Sequence, residues 1–180
     1  DPNNTSTLFN LGQTYIDISD TDRAIEAYLQ VVQIQPAFTR AHRQLIDIYL
    51  KTEKHISALL HLKRIVKTDT NDTSAHISIG QIYTKLKKFK LAIELLEPIK
   101  SRHPNNIRAL EALAELFYKM GNLDRSITEY RNILEQSPKH LPSYIQLGWV
   151  HYRKGEFQMA TAWTKRGLKL GVPSSKIILL

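Results

Sequence analysis

Cysteine is missing from all 180 residues. Its absence excludes disulfides, thiolate metal sites and a Cys nucleophile, and it fits either redox compartment. Long apolar runs are missing too. The longest is IILL at residues 177–180, far short of the roughly 20 residues a membrane-spanning helix needs. Glycine and proline are scarce, 7 of each, and scattered, so no linker or low-complexity tract interrupts the chain. There is no GxGxxG, P-loop or HExxH pattern, and no spacing of Ser, His and Asp marks a triad. Neither enzyme activity nor a cofactor or metal is therefore expected of this stretch. An initial Met, a signal peptide and a transit segment are also lacking. The chain opens on DPNN and reads as a window cut from something longer. The cytoplasm is the default compartment, with periplasmic and membrane-associated placements left open.

What is present is a globular composition: 42% hydrophobic residues and 23% charged, with a net charge of +8. The charge is uneven without forming one basic tract. It sums to −4 over 1–38, +3 over 39–72, +4 over 73–106, 0 over 107–140 and +5 over 141–180. The densest basic stretch, KLKKFK at 85–90, falls in an expected turn, where solvated charge is the ordinary case, and nucleic acid is disfavoured as a partner.

The strongest signal is repetition. LGQTY at 11–15 returns as IGQIY at 79–83, and LGW at 147–149 opens the same way, in steps of 68 residues, twice 34. Laid out at a period of 34, the chain gives five rows: 5–38, 39–72, 73–106, 107–140 and 141–174. Column 8 reads Gly12, Ile46, Gly80, Ala114, Gly148, and column 20 reads Ala24, Ala58, Ala92, Ser126, Ala160. Column 11 reads Tyr15, Tyr49, Tyr83, Phe117, His151, and Pro36, Pro104 and Pro138 stand at column 32. Columns 4, 7, 8 and 11 trace one helix face, and columns 20, 24 and 27 a second. Each row is thus expected to hold two helices around a short polar turn. Gly121 and Gly155 sit at expected left-handed C-caps. The small residues at columns 8 and 20 let the two helices approach closely, and the aromatic at column 11 fills the space a turn on. Row two, with Ile46 for Gly and Thr70 for Pro, is expected to have a shifted helix crossing. His42 and His76 share column 4 and are expected to be packed core histidines rather than metal ligands.

These columns resemble the tetratricopeptide repeat, a helix–turn–helix unit of 34 residues. The likeness spans residues 5–174. It implies an all-α, right-handed superhelical solenoid of antiparallel helix pairs, forming a single array over residues 1–180. Asp1–Asn4 would be the tail of a preceding row. Residues 174–180 would begin a sixth first helix, leaving apolar surface near Trp163 and Ile177–Leu180 exposed.

The resemblance also implies a concave groove lined by the first helix of each row, where a partner segment binds. A helical wheel of about 100° per residue independently puts columns 2, 5, 6, 9 and 13, with 12 at the edge, opposite the packed face. Row one offers Ser6, Phe9, Asn10, Gln13 and Asp17, and row two Arg40, Arg43, Gln44, Asp47 and Lys51. Row three offers Ser74, Ile77, Ser78, Gln81 and Lys85. Row four offers Arg108, Glu111, Glu115, Tyr118 and Lys119, and row five Ile145, Gln146, Trp149, Tyr152 and Arg153. Seven cations face four carboxylates, a mildly basic groove. Tyr118, Trp149 and Tyr152, with Lys119 and Arg153, are the expected anchor, because Trp, Tyr and Arg dominate interface energetics.

The family's carboxylate clamp for chaperone tails is incomplete in every frame. Only Asn10 stands where some members carry a ladder of Asn. The function expected is a non-enzymatic scaffold for a protein or peptide segment with apolar and acidic residues. The alternatives are a homo-oligomerisation module stacking through exposed ends, and a helical-repeat RNA binder.

Overall fold

The structure, a computed structural model, describes residues 4–170. The helices among them are α1 (Thr5–Asp17), α2 (Thr21–Ile34), α3 (Thr39–Lys51), α4 (His55–Thr68), α5 (Thr73–Lys85), α6 (Phe89–Arg102), α7 (Ile107–Met120), α8 (Leu123–Gln136), α9 (Leu141–Arg153) and α10 (Phe157–Lys169). No strand occurs among the described residues. Each row of 34 holds one pair of helices, so the fold is an all-α helical repeat. Residues 174–180, and with them the expected sixth first helix, lie outside the described residues.

Several helices begin where side chains satisfy their free N–H groups. Asn4 Oδ1 accepts from Ser6 and Thr7, Asn106 from Ala109, and Asn122 from Arg125. Asp20 accepts from the Arg23 backbone and also holds the Arg23 side chain. The second helices of the first four rows all end at column 30, and a residue outside the helical region follows: Gln35, Asp69, His103 and Ser137. Proline enforces this in three rows, since the residue before it is pushed out of the helical region. Row two does without it. There Asp69 Oδ1 accepts from the Asn71 backbone at 3.0 Å, and this side-chain turn replaces the proline.

The turn inside each pair is the same in all five rows. Ser19, Glu53, Lys87, Gly121 and Gly155 all have positive φ, from 55° to 82°. The next residue's N–H then reaches back to the column 11 carbonyl, in bonds of 2.8 to 2.9 Å from Asp20, Lys54, Lys88, Asn122 and Glu156. This is a Schellman cap. Gly121 and Gly155 sit where expected; the other three caps carry side chains in a left-handed conformation that costs roughly 1 kcal/mol or more.

The chain divides into two compact units, Asp1–Ile82 and Tyr83–Leu180. In the first, α1 packs on α2, α2 on α3, and α3 on α4. In the second, α6, α7, α8, α9 and α10 pack in sequence, each on the next. Such nearest-neighbour packing is the signature of repeat folds. The second unit's core joins Leu110, Ala114, Ile127, Tyr130, Ile133, Leu147, Val150 and Trp163. The sequence places exposed apolar surface near Trp163, yet Trp163 itself is only 9% exposed. It packs beside Tyr144 and His151, with Arg131 and Arg166 over its ring. Among the described residues, the exposed large hydrophobic side chains on and just after this last pair are Tyr152, Phe157, Met159, Leu168 and Leu170.

The small residue at column 8 has a specific use. A Cβ on Gly12 would lie 2.6 Å from the Tyr28 ring. The glycine therefore makes room for a large side chain at column 24, one turn beyond the alanine at column 20. In row two the same pair of columns is Ile46 and Leu62, both buried. Bulk has moved from one column to the facing one.

Two outcomes follow from this geometry. Gly12→Ala should lower stability by about 1–3 kcal/mol through overpacking, and the penalty should vanish in a Tyr28→Leu background. Equilibrium urea unfolding of the four proteins measures this; an undiminished penalty in that background would contradict the contact. Lys87→Gly and Glu53→Gly should each raise stability by roughly 0.5–1 kcal/mol, while Gly121→Ala should lower it by about 1 kcal/mol. Nothing lies within 4 Å of a Cβ placed on Gly121, so any loss there reads backbone strain alone.

Candidate functional site

In the first unit, the outward faces of α1 and α3 carry Asn10, Arg40, Arg43, Asp47 and Lys51, with Gln44 half-buried. Two of their cations are already engaged. Arg43 Nη2 pairs with Asp72 at 2.6 Å, and the Arg40 guanidinium sits over the Phe9 ring at 4.8 Å. Gln81 of α5 is half-buried. Two residues that the wheel assigns to this face belong to the core instead. Phe9 is 6% exposed and packs between Tyr28 and Phe38, and Ile77 is 1% exposed. Both are column 5 residues, which the wheel counts on the outward face, and an apolar side chain there turns inward.

In the second unit, Lys85, Lys119, Gln146, Tyr152 and Arg153 are exposed, as is Arg108, and Glu115, Tyr118 and Trp149 are half-buried. Lys85 Nζ lies 3.4 Å from Glu115 Oε1. Ala112, at column 6, is buried.

The structure brings four of the expected residues together. Arg153, at the end of α9, reaches α7: its Nη1 donates to the Tyr118 carbonyl at 2.8 Å, and its guanidinium lies 4.6 Å from the Tyr118 ring. No carboxylate among the described residues pairs with it, so its charge is oriented but not neutralised. On the same helix Trp149 meets Tyr152 edge to face, centroids 6.1 Å apart. Tyr152 in turn meets Phe157, the first residue of α10, at 5.5 Å. Tyr152 is 46% exposed and Phe157 61%. The result is a three-ring ladder with two rings exposed and Trp149 half-buried, and an oriented cation beside it.

A wheel drawn for first helices alone misses Phe157. The signal that could find it is the turn at Gly155, which hands the chain straight to it. Behind the ladder, Glu156 binds Lys154 at 2.7 Å and the buried His151 Nδ1 at 2.6 Å. Lys154 first and His151 second hold the Glu156 carboxyl below its usual range. This network braces the turn that presents Phe157.

A second polar cluster lies in the first unit. His42 and His61 are both buried, and their Nδ1 atoms lie 2.9 Å apart. His42 Nε2 is 2.9 Å from the Pro36 carbonyl, which only accepts, so His42 carries its proton on Nε2. His42 Nδ1 is then an acceptor, and His61 Nδ1–H donates to it. The His61 ring stacks on Tyr49 at 5.7 Å. His42 is the packed histidine its column predicts, beside a partner, His61, that sequence spacing does not supply. His76 is placed elsewhere, bonded through Nδ1 to the Asp72 carbonyl. Among the described residues no group of three metal-ligating side chains is present.

Sequence profiles of the tetratricopeptide repeat match residues 5–38, 73–98 and 108–171, more than half of the chain. The chain belongs to the tetratricopeptide repeat family. Row two, residues 39–72, falls between the matches, in keeping with its substituted columns. No curated protein matches the chain in sequence.

Solved structures share the fold. The MamA crystal structure has a TM-score of 0.76 and 23% identity, covering 98% of this chain and 96% of its own. A tetratricopeptide repeat protein from Parabacteroides merdae has a TM-score of 0.87 and 18% identity, covering 98% of this chain and 69% of its own. YrrB, described as a TPR protein with an unusual peptide-binding site, has a TM-score of 0.68 and 15% identity, covering 99% and 92%. At these identities the likeness is one of fold. Tetratricopeptide repeats are interaction modules, and the chain is accordingly a protein-interaction scaffold. No described helix is long and apolar enough to cross a membrane.

Buried His61 makes the first unit acid-sensitive. Burial, and then His42, push the His61 pKa down to about 4 from 6.5. The unfolded chain therefore binds the extra proton first. Stability is complete above about pH 6.5 and falls as pH drops toward 4. Between pH 7.5 and 5 the loss should be about 1–2 kcal/mol, allowing for water that reaches the ring. His61→Gln, which still donates to His42, should flatten that slope in urea titrations. An unchanged slope would assign the acid sensitivity to other groups.

Proposed function

We propose that this tetratricopeptide chain is a non-enzymatic scaffold gripping a partner segment along the outward faces of its first helices. The Trp149–Tyr152–Phe157 ladder is the anchor of that grip. The observation that carries this reading is the exposed ladder itself, beside an Arg153 fixed by Tyr118 and paired with no described carboxylate. Exposed aromatic rings held edge to face offer large contact area with little conformational entropy to lose. A pre-oriented guanidinium adds selectivity for an acid. The partner segment therefore carries an apolar or aromatic side chain flanked by Asp or Glu. Peptide recognition in YrrB, a relative in fold, is consistent with this use of the architecture. Asn10, Arg40, Arg43, Gln44, Asp47, Lys51 and Gln81 in the first unit, and Lys85, Arg108, Glu115, Lys119 and Gln146 in the second, are the further positions proposed to bind a partner.

Exposed Met159, Leu168 and Leu170 on and just after α10 favour a second reading, self-association through that helix. Light scattering over a concentration series separates the two.

The test is selection of peptides from a random library against the wild-type protein. Selected sequences should combine an aromatic or aliphatic residue with acidic neighbours. Trp149→Ala should weaken them by about 2 kcal/mol, with the helical circular dichroism spectrum retained. Binding should also weaken with added salt. Selected peptides that bind a Trp149→Ala, Tyr152→Ala double variant as tightly as wild type would place the site elsewhere.

A further inference from the structure

The histidine pair does more than pack. It forms part of the wall of a pocket of about 280 Å³ in the first unit, lined by Leu29, Val32, Gln33, Pro36, His42, Leu60, His61 and Arg64. These residues come from α2, α3, α4 and the segment after α2, so second helices supply most of the wall. It is a different place from the first-helix faces of the proposed groove.

Its chemistry is specific. Leu29, Val32, Leu60 and Pro36 give apolar walls, Arg64 gives a positive charge, and Gln33 and the two histidines give neutral polar groups. Arg64 is exposed, and no ion pair with it is present among the described residues. His42 has both ring nitrogens engaged, by Pro36 and by His61. His61 uses only Nδ1 toward the protein; its Nε2 has no protein partner among the described residues. Tyr49 backs the His61 ring on α3. No carboxylate lines the pocket. An open surface cleft with apolar walls, whose lining offers an unpaired guanidinium, an imidazole nitrogen with no protein partner and no acid, is complementary to a small apolar anion once that imidazole is protonated.

We propose that this pocket binds an aliphatic carboxylate, with its carbon chain among Leu29, Val32 and Leu60 and its carboxylate between Arg64 and His61. The volume lies at the small end for ligand sites, roughly 300–1,000 Å³, and suits one side chain or one short acyl chain. Binding is coupled to a proton. Unliganded His61 is neutral and its Nε2 is only an acceptor, so it cannot donate to a carboxylate. When the anion enters, His61 takes a proton on Nε2 and donates it to the carboxylate, while Nδ1–H continues to donate to His42 and His42 to Pro36. The pair already holds the tautomers this requires, and no other hydrogen bond must break. The same anion could belong to a free branched acid or to the C-terminal residue of a peptide.

The test uses 4-methylpentanoate, N-acetyl-leucine, a tetrapeptide ending in a free Leu carboxylate, and its C-terminal amide, read by histidine-selective ¹⁵N NMR. At least one carboxylate should shift the His61 resonances and raise its apparent pKa. Affinity should increase about tenfold per unit as pH falls from 7.5 to 5.5, since one proton is taken up. The amide should not bind. A tetrapeptide tighter than 4-methylpentanoate identifies a peptide end as the source, and the reverse identifies a free acid. Arg64→Ala, at an exposed position, should weaken binding about tenfold without unfolding the protein. Affinity independent of pH, equal binding of acid and amide, or no change at His61 with any probe at concentrations of about 50 mM, some tenfold above a weak millimolar Kd, would overturn the proposal. Loss of the Trp149 site leaves these outcomes untouched, so the two proposals fail separately.

Discussion

The fold depends on a reversal made at one left-handed residue. In every pair a single residue at column 15 takes positive φ, and the next N–H returns to the carbonyl at column 11. That bond fixes where the first helix stops and the angle at which the second begins. Once it is set, the small residue at column 8 and the large one at column 24 are brought face to face, as Gly12 and Tyr28 are. Two of the five positions use glycine. The other three accept backbone strain, which shows that the turn is specified by packing on both sides of it and not by glycine alone. The functional surface is a by-product of the same constraint. With one face of each first helix committed to its pair, the opposite face is left to solvent.

The repeat is legible because close packing writes itself into residue size at fixed spacing. Gly, Ala, Tyr and Pro at a period of 34 locate the helix pairs of all five rows, and the turn glycines sit where the chain needs them. What the columns do not show is exchange between them. Ile46 looks like a defect from column 8 alone. Beside Leu62 it is a redistribution of volume, because the Tyr of row one has given way to a smaller residue. Likewise Thr70 looks like a lost helix stop, until the Asp69 side chain supplies one from a neighbouring column.

The candidate sites are legible in unequal parts. Trp149, Tyr152, Tyr118 and Arg153 emerge from the sequence because a wheel sorts one helix well. Phe9 and Ile77 are misplaced by it because a wheel knows angles and not the tilt of the neighbouring helix, which decides whether a borderline position is covered. Phe157 and the His42–His61 pair escape for a common reason. Each is a contact between residues on different helices, and no period of the sequence carries that information. His61 sits at column 23, where no other row repeats a histidine, so the repeat pattern treats it as noise.

The two clusters also differ in how they can act. The ladder near Trp149 is preorganised: its rings touch one another and its cation is held by Tyr118 whether or not a partner is present. Its selectivity follows from shape and charge, and it responds to salt. His61 is neutral until something makes its protonation favourable. Burial keeps it uncharged alone, and a bound anion reverses that preference by supplying the missing acceptor. A buried polar pair inside an otherwise apolar hairpin costs stability in acid, and a hydrophobic pair of the same size would avoid that cost. What the hydrophobic pair would lack is a ring nitrogen at a pocket lined by an unpaired arginine and no carboxylate. Position, tautomer and the charge of the lining point in one direction, and they do so in the row that departs furthest from the repeat.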